Sequence, residues 1–192
     1  MTDTIDRLAG VAPGDRVDAL RRHRPVTRDQ SQASHDALFG ADIDETHTTR
    51  AERGLVATFV AALHDDEAAT ELYAGLAGDL ADAARLAAEA ARTTGPYGAY
   101  REPGLAAESR DGLGFEASDA LRAAVGDRSA AALEHAHLLV FRPREASPAA
   151  LERLAAAGWS ADGIVTLSQL VAFLAYQLRV AAGLRLLTEE AA

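Results

Sequence analysis

The sequence lacks both cysteine and lysine. The absence of cysteine excludes disulfides, thiol nucleophiles and thiolate metal sites. The absence of lysine excludes Schiff-base chemistry and a lysine general base. Every basic residue other than the six histidines is therefore an arginine. Neither absence indicates a cellular compartment.

Aromatic residues are also scarce. They make up 5% of the 192 residues, whereas hydrophobic residues as a whole make up 48%. The core must therefore be built mostly from alanine, leucine and valine, and alanine and leucine are strong helix formers. This composition predicts an all-α protein. The length suits one domain or two small halves that share a core.

Net positive charge is missing as well. The formal net charge is −10 and the isoelectric point is about 5.0. A nucleic-acid-binding protein needs a basic surface that replaces condensed counterions. Scattered arginines in an acidic chain provide no such surface, so we expect neither nucleic acid nor an anionic membrane as a partner.

The most apolar segment runs from Ile164 to Leu187. It contains Gln169, Gln177, Arg179 and Arg185, which are costly in lipid. We therefore interpret it as a buried core helix. The N-terminal residues lack the long apolar run of a secretory signal. Together these features predict a soluble, cytoplasmic protein.

Apolar spacing and capping residues predict a series of helices and no strand. The predicted helices cover 4–10, 14–23, 27–39 (with Pro25 at the start), a segment after Arg50 containing Leu55 to Leu63, 67–92, 117–125, 129–141, 148–157 and a long final helix capped by Ser160. The segment 93–115 is a long loop rich in glycine and proline. A loop of this length is either functional or mobile, and it lacks the strand–loop–helix context of a phosphate-binding loop.

One segment carries a family resemblance. Residues 52–73 read ERGLVATFVAALHDDEAATELY. They resemble the core helix pair of the alkylhydroperoxidase D (AhpD) and carboxymuconolactone decarboxylase (CMD) superfamily. The segments 153–160 and 171–184 resemble the turn and closing helix of the same family.

The catalytic positions of that family are substituted here. Its two thiol positions fall on Asp66 and Ala69, and its histidine position falls on Tyr73. Its glutamate position falls near Gly54, with Glu52 two residues away. Because a thiol peroxidase needs a low-pKa thiolate and a resolving thiol, the resemblance implies a relative without peroxidase activity.

The resemblance implies a fold and a set of partners. The expected fold is all-α, a single AhpD-like (CMD) domain over 1–192 with an N-terminal helical extension over 1–47. The expected function is that of an oligomeric binding or partner module, with a cysteine-bearing paralogue or a small-molecule ligand as partner. We expect no cofactor and no metal. The main alternative is an acid–base enzyme of the decarboxylase type, which works without thiols. A weaker alternative is a metal-dependent site built on the histidines.

Several polar residues are candidates for such chemistry. His64, Asp65, Asp66 and Glu67 cluster at a predicted helix junction, where they could form an acid–base pair or part of a metal site. The simpler interpretation is a helix cap, because aspartate is an ordinary cap residue.

Two histidines two residues apart, His135 and His137, point to different sides of a helix and so cannot easily share an ion. We expect one of them to be buried or hydrogen-bonded and the other exposed.

The candidate catalytic residues of this sequence are His64, Asp66, Glu67, Tyr73, His135, His137 and Arg179. Arg179 lies with Gln169, Tyr176 and Gln177 on the final helix, where such groups either line a cavity or satisfy local partners. A closed pocket lined by two or more of His64, Glu67, Tyr73, His135 and Arg179 would favour an enzyme. A packed junction would favour a scaffold.

Overall fold

The computed structural model describes residues 3–189, and within that range the chain is helical without a β-strand. This confirms the all-α class. The α-helices are α1 (Thr4–Ala9), α2 (Arg16–Arg22), α3 (Pro25–Phe39), α4 (Arg50–Leu63), α5 (Glu67–Ala77), α6 (Ala81–Ala91), α7 (Asp119–Val125), α8 (Asp127–Phe141), α9 (Pro148–Ala156) and α10 (Ala161–Glu189). Short 3-10 helices cover Gly78–Leu80, Pro103–Glu108 and Pro143–Glu145.

Side-chain caps explain where many of the helices begin. Thr49 forms a capping box with Glu52 at the start of α4, and the Ser118 hydroxyl accepts a hydrogen bond from Leu121 N at the start of α7. Ser160 accepts one from Gly163 N at 3.1 Å in the first turn of α10, which confirms its predicted capping role. Such caps satisfy backbone N–H groups that have no partner within the helix.

The predicted single helix over 67–92 is wrong. It is divided into α5 and α6 by the 3-10 turn at Gly78. Gly78 has a φ of 58°, a conformation that glycine adopts without the steric cost of a Cβ atom. The sequence is rich in alanine on both sides, so apolar spacing alone does not mark the break.

The chain forms two compact units. The first contains the residues up to Ile43 together with the chain from Phe173 onward, and the second spans Asp44–Ala172. Helix α10 contributes residues to both.

Helix α4 is the core of the second unit. Leu55, Phe59 and Val60 have no exposed surface, and α5, α6 and α8 pack around the helix. The helices that surround it present small side chains: Ala84, Ala88, Ala130, Ala132 and Ala136 are all almost completely buried. Small residues allow helix backbones to approach closely, so a core with few aromatic residues can still be densely packed.

The closest approach involves Gly54. A Cβ atom placed on this residue would lie 2.8 Å from Leu76 Cβ and closer still to Ala77 N. Gly54 lies on α4, and Leu76 and Ala77 form the end of α5. Any side chain at position 54 would therefore push these two helices apart.

We predict that Gly54→Ala lowers the free energy of unfolding by about 1–3 kcal/mol, because it overpacks this contact. Chemical denaturation measures the effect. Gly75→Ala is the matched control, because Gly75 is likewise a glycine within a helix, α5, and its Cβ would meet nothing within 4 Å. The control should be neutral or stabilising by about 1 kcal/mol. Equal stability of Gly54→Ala and the wild-type protein would contradict the close approach.

An ion-pair cluster holds the helices of the first unit together. Arg28 on α3 binds the carboxylates of Asp3, Asp6 and Asp18, with Nη1 at 3.0 Å from Asp18 Oδ1. Asp18 also pairs with Arg22 and accepts a hydrogen bond from Gly14 N at 2.6 Å. The Arg22 guanidinium is the main cause that lowers the pKa of Asp18 below its ordinary 3.8.

The lowered pKa of Asp18 gives a pH prediction. Because the folded protein favours the carboxylate more than the unfolded chain does, the stabilisation is present above about pH 4. It is lost as the pH falls toward the folded-state pKa. Asp18→Asn should therefore be less stable than the wild type at pH 7, and the difference should shrink on acidification. Denaturation of both proteins at pH 7 and pH 3 measures it.

The exposed Asp42→Asn provides the control for that experiment, and its effect on stability should be small at both pH values. Asp6, in the same cluster, has a pKa shift opposite to that of Asp18, because burial and the neighbouring Asp3 raise its pKa. A stability difference between wild type and Asp18→Asn that grows on acidification would refute the assignment.

The final helix, α10, carries apolar side chains on its exposed surface as well as on its buried side. Leu167, Leu170 and Leu174 are buried, as expected for a core helix, but Val165 and Leu186 are more than half exposed. By length and composition the stretch Ala161–Thr188 could cross a membrane, and 33% of its most apolar window is buried. A single helix of this kind is weak support for a membrane span, because the core helix of a soluble protein has the same properties.

Candidate functional site

The junction between α4 and α5 is a pair of helix caps. His64 ends α4, and its Nδ1–H donates to Val60 O at 2.9 Å. Asp66 begins α5, and its side chain accepts a hydrogen bond from Ala69 N at 3.0 Å. The capping interpretation of Asp66 is therefore confirmed. Its carboxylate is buried and engaged by the helix that it starts.

The other candidates at this junction do not share a cavity with His64. Glu67 is exposed, whereas Tyr73 is completely buried in the helical core. Asp66 and Glu67 line a shallow groove of about 400 Å³ that neither His64 nor Tyr73 lines. The junction is packed and, within the described helices, has no closed pocket lined by two of the candidate residues, so it favours a scaffold over an enzyme at the α4–α5 junction.

The glutamate position of the family resemblance is also closed. Gly54 has no room for a side chain. Glu52 accepts a hydrogen bond from Thr49 N at 2.8 Å and another from Arg128 Nε at 2.6 Å. Arg128 in turn stacks on Trp159 at 3.9 Å from the ring centroid. Glu52 is therefore a structural ion-pair partner rather than a free base.

Arg179 belongs to the first unit, where it is exposed and donates to Ala175 O at 3.2 Å. Its neighbour Tyr176 shares a hydrogen bond of 2.8 Å with Ser31, and Gln177 is completely buried. Tyr176 and Arg179 satisfy local partners, which agrees with the simpler of the two interpretations for these two residues.

A large cleft lies elsewhere in the second unit. Its volume is about 1010 Å³, which falls in the range of small-molecule sites. It is formed by the end of the long loop (114–117), Arg122 on α7, the segment 131–138 of α8, the turn at 142–145 and α9. Among the sequence candidates it brings together His135 and His137.

The apolar part of the cleft comes from residues on three elements, namely Phe115, Ala131, Leu138, Ala150 and Leu154. Phe115 is the key residue of this group because it lies on the long loop. Its ring packs against Phe59 of α4 at 5.4 Å and against His137 at 5.5 Å between centroids. The loop is therefore anchored to the helical core by aromatic packing, which typically favours tilted ring pairs at such distances.

The charged part of the cleft consists of arginines and glutamates. Arg142 makes a two-pronged ion pair with Glu145, with distances of 2.6 Å and 2.7 Å. Arg122 pairs with Glu134. Arg153 is exposed and donates only a long hydrogen bond of 3.5 Å to Ala149 O, with no acidic partner among the residues that the structure describes.

His135 is buried and has one free ring nitrogen. Its Nε2 lies 3.2 Å from Ser168 Oγ, and the Ser168 hydroxyl donates to Ile164 O at 2.9 Å. The hydroxyl has a single proton, so Nε2 must be the donor to Ser168. The neutral ring then carries its lone pair on Nδ1, and this atom is shielded from solvent with no hydrogen-bond partner.

His137 has the same tautomer for a different reason. Its Nε2 lies 3.1 Å from Ala91 O, and a carbonyl oxygen can only accept. The ring is held between Phe115 and Phe141, the latter at 5.0 Å between centroids. Burial lowers the pKa of both histidines, and the charge of Arg153 lowers that of His135 further. Both rings are therefore neutral at pH 7.

The expectation that one of these two histidines is exposed is wrong. Helices α4, α7 and α9 cover α8 on several sides. The two rings point to different sides of α8, and both are buried. Within residues 3–189, no group of three or more histidine, aspartate or glutamate side chains is arranged to hold a metal ion.

Sequence reasoning did not find Arg122, Arg142, Arg153 or Phe115. Each is an ordinary residue within its own segment. The one available signal was the length of the loop before Phe115, since long loops in compact units often carry function.

We predict that at pH 7 both His135 and His137 carry the proton on Nε2 and titrate below 6.5. Long-range ¹H–¹⁵N correlation spectra report the tautomers and the titration. In the unfolded chain both rings have the ordinary pKa, so protonation favours unfolding. Stability should therefore fall as the pH drops below about 6.5 toward the folded-state values. A protonated Nδ1 on His135 at pH 7 would contradict the Ser168 contact.

Comparison with known proteins leaves the family open. No family model matches the chain, and neither a curated protein nor a solved structure matches it. The resemblance to the AhpD and CMD superfamily therefore rests on the residues of the sequence alone.

Proposed function

We propose that this protein is a cysteine-free, AhpD-like helical protein that binds a small organic molecule in the cleft lined by His135 and His137. One observation carries the proposal: two buried, neutral imidazoles line a cleft of about 1010 Å³ that also has an apolar wall. Small-molecule sites combine an apolar lining with a few placed polar groups in this way.

The proposed function does not include thiol peroxidase activity. The chain has no cysteine, and the positions that correspond to the family's thiols are a helix cap at Asp66 and a buried Ala69. A helix N-terminus favours either a carboxylate or a thiolate. Asp66 therefore fits the same structural position, but it cannot form a sulfenic acid or a disulfide.

The proposal includes partners and a compartment. We propose that the protein is a cytoplasmic homo-oligomer that acts beside a cysteine-bearing relative. The apolar residues exposed on α10, among them Tyr176, Leu186 and Leu187, support a role for this helix in assembly. Large exposed apolar surface commonly marks an interaction site.

An acid–base enzyme of the decarboxylase type is the second candidate. The observation that favours it is the unpartnered lone pair on His135 Nδ1, which could accept a proton from a bound substrate. A carboxylated lactone incubated with the protein in D₂O would then lose the ¹H signal of its acidic C–H group. His135→Gln should abolish that exchange, and exchange that persists in the variant would exclude the histidine as the base.

Ligand binding in the cleft is tested with benzyl alcohol and phenylacetate as probes. Titration of either compound into labelled protein should shift the methyl signals of Ala131, Ala150 and Leu154, which line the cleft. Leu138→Trp should abolish these shifts, because the larger ring fills the cleft from α8.

Leu151→Trp is the matched control. Leu151 is exposed on α9 and is not part of the cleft lining, so binding should be unchanged. Shifts that survive in Leu138→Trp, or the absence of shifts in the wild type at millimolar probe, would refute binding in the cleft. A peroxide assay on the same samples should show no turnover above buffer.

A further inference from the structure

Two residues that line the cleft, His135 and Arg153, have unmet polar interactions of different chemistry. His135 Nδ1 is a buried hydrogen-bond acceptor. Arg153 is an exposed cation without an acidic partner in the described part of the chain. Both residues line the same cleft, and the charge of Arg153 lowers the pKa of His135. A ligand that satisfies both must offer a donor to one and an anion to the other.

The unsatisfied acceptor requires an explanation. A buried polar atom without a hydrogen bond is destabilising, and such atoms are rare in native proteins. The tautomer is fixed by Ser168, so Nδ1 cannot become a donor while the ring is neutral. Only a donor such as a hydroxyl group or a water molecule can satisfy it.

The other charges of the cleft limit the ligand further. Arg122 and Arg142 are occupied by Glu134 and Glu145, which leaves Arg153 to attract an anion. The exposed Glu116 also lines the cleft and would repel a second negative charge. These charges favour a single carboxylate over a dicarboxylate.

We infer that the ligand of the cleft is a hydroxylated monocarboxylic acid with an apolar body. Arg153 binds its carboxylate, His135 Nδ1 accepts a hydrogen bond from its hydroxyl group, and the wall formed by Phe115, Leu138 and Leu154 covers its apolar part. This inference rests on the proposed binding function and adds the chemical class of the ligand.

The experiment compares probes that differ by one group. Mandelate and 4-hydroxyphenylacetate carry both a carboxylate and a hydroxyl group at two different separations. Phenylacetate lacks the hydroxyl group, and benzyl alcohol lacks the carboxylate. NMR titration gives a Kd for each. We expect at least one hydroxy acid to bind about five- to tenfold more tightly than phenylacetate, which corresponds to one added hydrogen bond.

Three variants assign the two contacts. Arg153→Gln should weaken binding of the acids about fivefold and leave benzyl alcohol unchanged. Arg110→Gln removes another exposed arginine of the same unit, outside the cleft lining, and should have no effect. His135→Gln retains a donor for Ser168 but loses the acceptor at the Nδ1 position, so the preference for the hydroxy acid should disappear.

His135→Asn provides the rescue, since its side-chain oxygen lies near the position of Nδ1 and should restore part of the preference. This readout separates a direct contact from a loss of folding, because phenylacetate binding reports that the cleft is intact.

The outcomes separate the two proposals. If no probe binds, the proposed binding function fails. If phenylacetate and benzyl alcohol bind but neither hydroxy acid binds more tightly, the binding function stands and the ligand class is overturned, with a bound water as the partner of Nδ1. A preference that is unchanged in His135→Gln would overturn the role of His135.

Discussion

The close packing of α4 against helices that carry alanine and glycine is the constraint on which the second unit depends. Few aromatic residues are available, so the core gains its density from short distances between backbones rather than from large side chains. Gly54 marks the closest approach, at the end of α5. Tyr73 and Phe59 fill the remaining space and are completely buried. A core packed in this way leaves the α4–α5 junction without a cavity for substrate.

Arginine ion pairs organise the segments that the core does not fix. Arg128 joins Glu52 of α4 to the carbonyl groups of His47 and Gly158 and stacks on Trp159. Arg142 pairs with Glu145 and also donates to a carbonyl of the long loop. These roles need the several donors and the flat face of a guanidinium, which a lysine does not offer. The exclusive use of arginine therefore suits the way this chain holds its loops.

The cleft depends both on packing against the helical core and on the arginine ion pairs. Aromatic packing anchors Phe115 to the core, and the arginine pairs fix the surrounding turns, so the end of the loop becomes a wall opposite α8 and α9. Burial keeps the two histidines of α8 neutral, and their hydrogen bonds leave the lone pair on Nδ1 in each ring. A neutral acceptor and a cation in one cleft suit the recognition of a ligand, whereas thiol redox chemistry would need a cysteine, which the chain lacks.

The sequence by itself determined the helical class, most of the helix boundaries and the capping role of Asp66, because these depend on local composition and on contacts a few residues apart. The break between α5 and α6 at Gly78 could not be predicted from the sequence pattern, because alanine continues the helical pattern on both sides. Only the tertiary structure decided that His135 and His137 are both buried and line one cleft. That outcome depends on which helices cover α8 and on where the loop before Phe115 returns to the core. Such contacts join residues far apart in the chain, and periodicity within a single helix carries no information about them.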